Sequence, residues 1–70
     1  MNEIKFNAAC EYTREHLNQL DKQLPNGYDV YGAVYNLMEE WSYDNGFGEN
    51  EWLEWGDEDD VLLKIGRAGR

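Results

Sequence analysis

The apolar positions in the first third of the chain follow the period of a helix. Between residues 8 and 24, small or apolar side chains recur at steps of three and four residues and so share one helix face. They are Ala9 or Cys10, Thr13, Leu17, Leu20 and Leu24. Before this helix, residues 2–6 alternate polar and apolar with Ile4 and Phe6 on one side, which favours a short strand over a first helical turn. Asn7 then supplies the N-cap of the helix.

The next apolar pattern predicts a second helix after a turn. Proline cannot continue a helix and Asn-Gly favours a turn, so Pro25-Asn26-Gly27 ends the first helix. Asp29 caps the second helix, which is predicted to run to Tyr43. Its predicted buried stripe is Val30, Ala33 or Val34, Leu37 and Trp41, whereas Asn36, Glu39, Glu40 and Tyr43 point elsewhere. Asn45-Gly46 ends this helix, and Phe47 is expected to pack back on the last turn.

The last third of the chain allows two interpretations. Residues 50–55 are rich in rings and residues 61–65 are apolar, which predicts two strands joined by a turn at residues 56–59. The alternative is a third helix, capped at Asp57 with Asp60 three residues later. The expected fold is therefore α+β, with two antiparallel helices packed on a C-terminal β-hairpin, with or without a short N-terminal strand. The alternative is a small three-helix domain. In either case, residues 66–70 are predicted to form a flexible tail.

Length and composition indicate one small, charged domain. The chain has 70 residues, a formal net charge of −9 and 41% hydrophobic residues, so residues 1–70 are expected to fold as a single unit. The lone cysteine, Cys10, excludes an internal disulfide and suits a reducing compartment. The N-terminus lacks a signal-peptide pattern and no apolar run reaches the length of a membrane span, which predicts a cytoplasmic protein.

The candidate chemical groups form no catalytic or metal-binding pattern. The four adjacent acids Asp57–Asp60 lack the spaced oxygens, the glycine and the final glutamate of a calcium loop. One Cys and one His are too few for a zinc site, so Cys10 is assigned to the core and His16 to a half-buried structural position. Glu39 and Glu40 are adjacent, so they diverge around a helix and cannot act as a paired acid and base. No enzyme activity, cofactor or metal is expected.

The middle of the chain combines acids with aromatic rings. Residues 29–60 contain eleven acids and no Lys or Arg, whereas all six bases lie in residues 5–22 and 64–70. Rings bury large areas and anchor contacts, while carboxylates set the sign of the surface. This segregation predicts a negatively charged recognition surface. The candidate partner-binding residues are Glu39, Glu40, Tyr43, Asp44, Glu49, Glu51, Trp52, Glu54, Trp55, Asp57, Glu58, Asp59 and Asp60.

In size, charge and aromatic content the chain resembles the nucleic-acid mimics encoded by phages and mobile elements, including anti-restriction and anti-CRISPR proteins. The resemblance is one of composition, rests on no alignable motif and implies nothing about the fold. It implies a non-catalytic inhibitor that docks on a basic, nucleic-acid-binding surface of a partner protein. The alternative is a small structural or regulatory subunit that uses exposed Trp and Tyr side chains for homo- or hetero-oligomerisation, including a homodimer. The net charge predicts that the protein binds neither nucleic acid directly nor anionic membrane.

Overall fold

Helices account for all the regular structure in the described part of the chain. The computed structural model describes residues 2–67, in which α1 spans Asn2–Gln23, α2 spans Val30–Asp44 and α3 spans Glu58–Lys64. A short 3-10 helix, Glu51–Glu54, lies between α2 and α3. No strand occurs within residues 2–67. Over the same residues, no helix combines the length and the apolar character that crossing a membrane requires.

The two long helices, α1 and α2, pack against each other in antiparallel directions. Near the middle of both helices, Thr13 Oγ1 donates a hydrogen bond to Met38 Sδ at 3.2 Å. Lys5, near the start of α1, lies 5.1 Å from the ring centroid of Phe47, which follows the end of α2. The pair therefore forms a scaffold on which the shorter elements pack.

One apolar core joins all four elements. The 3-10 helix supplies Trp52, which is completely buried, and α3 supplies two consecutive buried residues. The buried apolar side chains are Ala9, Cys10, Leu17, Val34, Met38, Trp52, Val61 and Leu62. Because every element contributes at least one of them, burial of apolar surface ties the whole domain together.

The predicted N-terminal strand is wrong, because α1 already begins at Asn2. Asn7, predicted to cap this helix, lies inside it. Ile4 is 75% exposed, whereas Phe6 is half-buried against the core. A Cβ built on Gly56 would approach the Phe6 ring to 2.8 Å, so the ring packs directly over the glycine backbone. An isolated five-residue strand has no neighbour to pair with, whereas the same residues extend the helix at little cost.

The second helix begins and ends where the sequence predicts. Asp29 Oδ1 accepts a hydrogen bond from the Gly32 N–H at 3.1 Å and so caps the first turn. At the other end, Gly46 has a φ of +87° and the Phe47 N–H donates to the Ser42 carbonyl oxygen at 2.8 Å. This is the Schellman arrangement, and it folds the chain back so that the Phe47 ring stacks on Trp41. The predicted packing of Phe47 on the last helical turn is confirmed.

The buried face of α2 is turned by about one residue from the predicted stripe. Met38 and Ser42 lie at its centre and are completely buried, whereas Leu37 and Trp41 are only half-buried. Glu39 was predicted to point away from the core and is instead only 8% exposed. The buried centre of α2 thus includes a small polar residue and a flexible one, which apolar periodicity alone does not predict.

The predicted C-terminal hairpin is wrong, and the three-helix alternative fits the structure. Asp57 Oδ1 accepts from the Asp60 N–H at 3.0 Å, while Asp60 Oδ2 accepts from the Asp57 N–H at 3.1 Å. This reciprocal capping box starts α3 where a turn was expected. Val61 and Leu62 are both buried and Leu63 is 69% exposed, a pattern that departs from the strict alternation of a half-buried strand.

The chain beyond α3 folds back toward α1. The Arg67 N–H donates to the Leu62 carbonyl oxygen at 2.7 Å, and Gly66 has a φ of +85°. The Arg67 guanidinium donates to Asp21 Oδ2 at 2.7 Å and to Asn18 Oδ1 at 3.1 Å. Of the predicted flexible tail, Gly66 and Arg67 are therefore in contact with the fold, and residues 68–70 lie outside the described residues.

Candidate functional site

Cys10 lies in the core, whereas His16 lies on the exposed side of α1. Cys10 is buried, and its burial raises the pKa of the thiol to about 11, so the thiolate nucleophile is scarce at neutral pH. His16 is exposed, not half-buried as predicted, and its Nδ1 lies 2.8 Å from the Tyr12 carbonyl oxygen. No group of three or more His, Cys, Asp or Glu side chains within residues 2–67 is arranged to hold a metal ion.

The raised pKa of Cys10 predicts a loss of stability at alkaline pH. The folded protein keeps the thiol proton to higher pH than the unfolded chain, so this contribution is complete below about pH 8.5 and falls as pH rises toward 11. It amounts to about 3 kcal/mol at most. Urea unfolding of wild type and Cys10→Ala between these pH values measures this contribution. We expect the free energy of unfolding to fall less steeply with pH in the variant. Parallel declines in both proteins would contradict the prediction.

Most of the predicted acidic residues are exposed, and they lie on consecutive elements of the chain. We call the exposed carboxylates of the C-terminal half of α2, the following loop, the 3-10 helix and the first turn of α3 the acidic surface. Its residues are Glu40, Asp44, Glu49, Glu51, Glu54, Asp57, Asp59 and Asp60, with Glu58 half-buried at its edge. The two ion pairs among residues 2–67 are Arg14 with Glu11 and Arg67 with Asp21, all outside the acidic surface. Within the described residues, no carboxylate of the acidic surface is therefore paired with a cation.

Several of these acids also have a local structural role. Asp57 and Asp60 form the capping box of α3, and all three acids in the first turn of α3 suit its dipole. Glu51 Oε1 accepts from the Gly48 N–H at 2.8 Å and so stabilises the loop. Asp59 Oδ1 accepts from the Tyr31 hydroxyl at 2.5 Å, which joins the start of α3 to the start of α2. For these residues, the local hydrogen bonds alone explain why an acidic side chain occupies the position.

Of the acids at the C-terminal end of α2, Glu40 lies against the Tyr12 hydroxyl of α1. Loss of hydration, hydrogen bonding to Glu40 and the charges of Glu40 and Asp44 raise the pKa of Tyr12. Glu40 and Asp44 are exposed in the last turns, and the last turn contains no basic residue. Negative charge at a helix C-terminus opposes the helix dipole and costs roughly 0.3–1 kcal/mol per charge. Asp44, Glu49 and Glu54 make no side-chain hydrogen bond or ion pair within the described residues. Asp44 thus opposes the dipole of α2, and the carboxylates of Glu49 and Glu54 have no hydrogen-bond or ion-pair partner among the described residues.

The aromatic candidates divide into core and surface residues. Trp52 is completely buried, so the prediction that it contacts a partner does not fit its position. Trp55 is half-buried in an aromatic cluster, with its ring 5.0 Å from Phe47 and 6.3 Å from Trp41. Tyr43 is 55% exposed and is the predicted aromatic residue that remains available on the surface.

A row of side chains along α2 joins the predicted site residues Glu39 and Tyr43 to two tyrosines that were not predicted, Tyr31 and Tyr35. Tyr31, Tyr35, Glu39 and Tyr43 follow one another at steps of four residues, so they share one face of the helix. Tyr31 is as exposed as Tyr43, at 54%. The four-residue spacing is visible in the sequence, but the predicted apolar stripe lies on a different face of the helix.

Glu39 occupies the middle of this row and is held from the loop. Its Oε2 accepts from the Asn50 N–H at 2.8 Å, while the Tyr35 hydroxyl donates to Asn50 Oδ1. Asn50 adopts a φ of +61°, an unusual backbone conformation that these two contacts maintain. Loss of hydration and the nearby carboxylates of Glu39 and Glu49 raise the pKa of both Tyr35 and Tyr43. The two phenols and the two carboxylates therefore form one cluster.

Comparison with known proteins yields no relative from which a function could be transferred. No protein-family model, no curated protein and no solved structure matches the chain. The function of the domain is therefore inferred from the geometry and charge of its surface.

Proposed function

We propose that the domain is a non-catalytic binding protein whose acidic surface docks on a basic, nucleic-acid-binding surface of a partner protein and blocks it. The observation that carries this proposal is the uncompensated charge of residues 29–60, none of whose acids belongs to an ion pair of the described chain. The proposal includes a cytoplasmic location, which a lone reduced cysteine suits.

The mode of action follows from the placement of charge on helices. Acids on α2 and at the start of α3 keep their spacing without help from the partner, so little order has to be gained on binding. Complementary charge speeds encounter with a basic surface, and exposed tyrosine rings slow dissociation. The partner's surface, occupied by carboxylates, then has no free cations for phosphate groups.

A second candidate function is a structural or regulatory subunit that oligomerises through exposed apolar side chains. Ile4 and Leu63 favour it, since they are large apolar residues exposed to 75% and 69%. The tryptophans do not, because Trp52 lies in the core and Trp55 packs in the aromatic cluster. An apolar interface would be insensitive to salt, unlike one formed by the acidic surface.

The proposal predicts competition between the domain and nucleic acid for one surface. A protein retained from lysate by the immobilised domain at about 0.05 M salt should be released at about 0.5 M salt. After purification, the retained protein should bind labelled DNA or RNA, and the free domain should displace that ligand while showing no gel shift of its own. Simultaneous binding of domain and nucleic acid, or retention that is unchanged by salt, would count against the proposed function.

A further inference from the structure

The cluster around Glu39 contains a buried carboxylate oxygen without a partner. We define the Glu39 site as Tyr35, Glu39, Tyr43, Glu49 and Asn50. Glu39 is 8% exposed, and its Oε1 is buried with no hydrogen-bond partner among residues 2–67. Leaving a buried charged acceptor unpaired costs more than leaving a neutral group unpaired, so a donor at this oxygen would be stabilising.

Donors inside the domain already approach this carboxylate. The Asn50 N–H is donated to Oε2, and the Tyr35 hydroxyl is donated to the Asn50 side chain. The Tyr43 hydroxyl also lies within hydrogen-bonding reach of Glu39, and after loss of hydration and the nearby charges this contact adds to the raised pKa of Tyr43. No base occurs in residues 29–60, and neither ion pair of the described chain involves Glu39. A charged donor for Glu39 would therefore come from outside this segment and would take the place of the Tyr43 hydroxyl.

We propose that the Glu39 site receives an arginine side chain from the basic surface of the partner protein. The inference rests on the proposed function and identifies one contact within that interface. The guanidinium is planar, so it can lie against a phenol ring while its N–H groups donate to carboxylates. Tyr43 is more than half exposed and can rotate to admit the group, whereas Glu39 is held by Asn50. Glu49 adds a second carboxylate near the same tyrosines.

Arginine fits this site better than lysine. An ammonium is a compact and strongly hydrated charge, and it loses more hydration when it approaches a buried oxygen. Its three donors also lack the flat shape that stacks on a ring. We expect octa-arginine to bind about tenfold more tightly than octa-lysine, although both peptides carry the same number of side-chain charges.

The test combines the two peptides with matched variants. Glu39→Gln keeps an oxygen for the Asn50 N–H and removes the charge, and Glu40→Gln makes the same change at an exposed neighbour. Tyr43→Ala and Tyr31→Ala remove rings of nearly equal exposure, one inside the Glu39 site and one outside it. Titration calorimetry measures affinity, the Asn50 amide resonance reports occupancy, and thermal melting confirms that each variant is folded.

The expected result is that octa-arginine shifts the Asn50 resonance and that Glu39→Gln and Tyr43→Ala each weaken its binding about fivefold to tenfold. Glu40→Gln and Tyr31→Ala should change the affinity for octa-arginine less than twofold. Equal affinity for both peptides, no binding of either, or an unmoved Asn50 resonance would overturn the inference. If Glu39→Gln does not fold, the comparison of octa-arginine affinity between Tyr43→Ala and Tyr31→Ala tests the inference.

The peptide experiment separates this inference from the proposed function. If the domain competes with nucleic acid but shows no preference for octa-arginine, the arginine contact is wrong and the blocking function stands. A preference that depends on Glu39, without any competition for nucleic acid, would keep the cation site and remove the blocking function.

Discussion

Trp52→Ala is expected to remove a large share of the stability of the fold. The side chain is completely buried in the core, and its ring lies 5.9 Å from Tyr35 in an edge-on arrangement. Removing a buried Trp costs about 3–5 kcal/mol, because apolar burial is lost and a cavity remains. A domain of this length has a total stability of only about 4–10 kcal/mol, so one substitution takes a large share of it.

Urea unfolding, followed by circular dichroism, measures the free energy of unfolding that Trp52→Ala loses relative to wild type. Trp55→Ala is the control, because Trp55 is only half-buried and sits on the aromatic cluster of Trp41 and Phe47. We expect this control to lose about half as much stability or less. A cooperative transition near the wild-type midpoint in Trp52→Ala would contradict its central position in the core.

This expected result changes how binding data on the tryptophans are interpreted. Loss of partner binding in Trp52→Ala would report unfolding and not a missing contact. Tyr43 and Tyr31 are the rings that test recognition, since both are more than half exposed and α2 does not depend on their burial. The position of Trp52 therefore moves the aromatic part of the proposed interface from the 3-10 helix to α2.

The second helix was predictable because its ends carry strong local signals. Asp29 supplies the N-terminal cap, and Gly46 accepts the left-handed conformation that the Schellman arrangement needs. Both signals act within a few residues, so they can be recognised without knowledge of the tertiary structure. The N-terminal segment lacked a comparable signal, and its short alternation favoured a strand although the same residues also fit a helical turn.

The C-terminal segment shows where local signals compete. Residues 61–65 are mostly apolar and have a β-branched residue at each end, which favours a strand. Asp57 and Asp60, in contrast, have the spacing of a capping box. The capping box decided the outcome, because a helix satisfies its own backbone and a hairpin here would have needed residues 50–55 to pair. Those residues instead form the 3-10 helix that buries Trp52.

The candidate site was predictable in sign but not in detail. The exclusion of bases from residues 29–60 is a property of the sequence and gave the acidic surface directly. The burial of Glu39 depends on the loop residue Asn50 folding back against α2, a contact between residues eleven positions apart. No periodicity encodes such a contact. Glu39 was consequently grouped with Glu40, although one is held inside the Glu39 site and the other is exposed.

Reversing Glu40 and Asp44 to Lys is expected to weaken partner binding and leave the fold intact. Both residues are exposed near the end of α2, so positive charge there agrees with the helix dipole, which offsets the loss of the Glu40 contact with Tyr12. On the acidic surface, the same change opposes a basic partner and should lower affinity about a hundredfold at low salt. A loss of affinity without a loss of stability is therefore expected.

The measurement is a binding titration of the double variant against the retained partner, with thermal melting of the variant alone. The control is the double reversal of Glu3 and Glu15, which changes the net charge equally but lies on α1 outside the acidic surface. We expect the control to lose less than about tenfold in affinity, since the net charge acts only at long range. Equal losses in both doubles would mean that net charge alone attracts the partner. Unchanged binding in both would place the interface elsewhere, and the exposed apolar residues Ile4 and Leu63 would then become its strongest candidates.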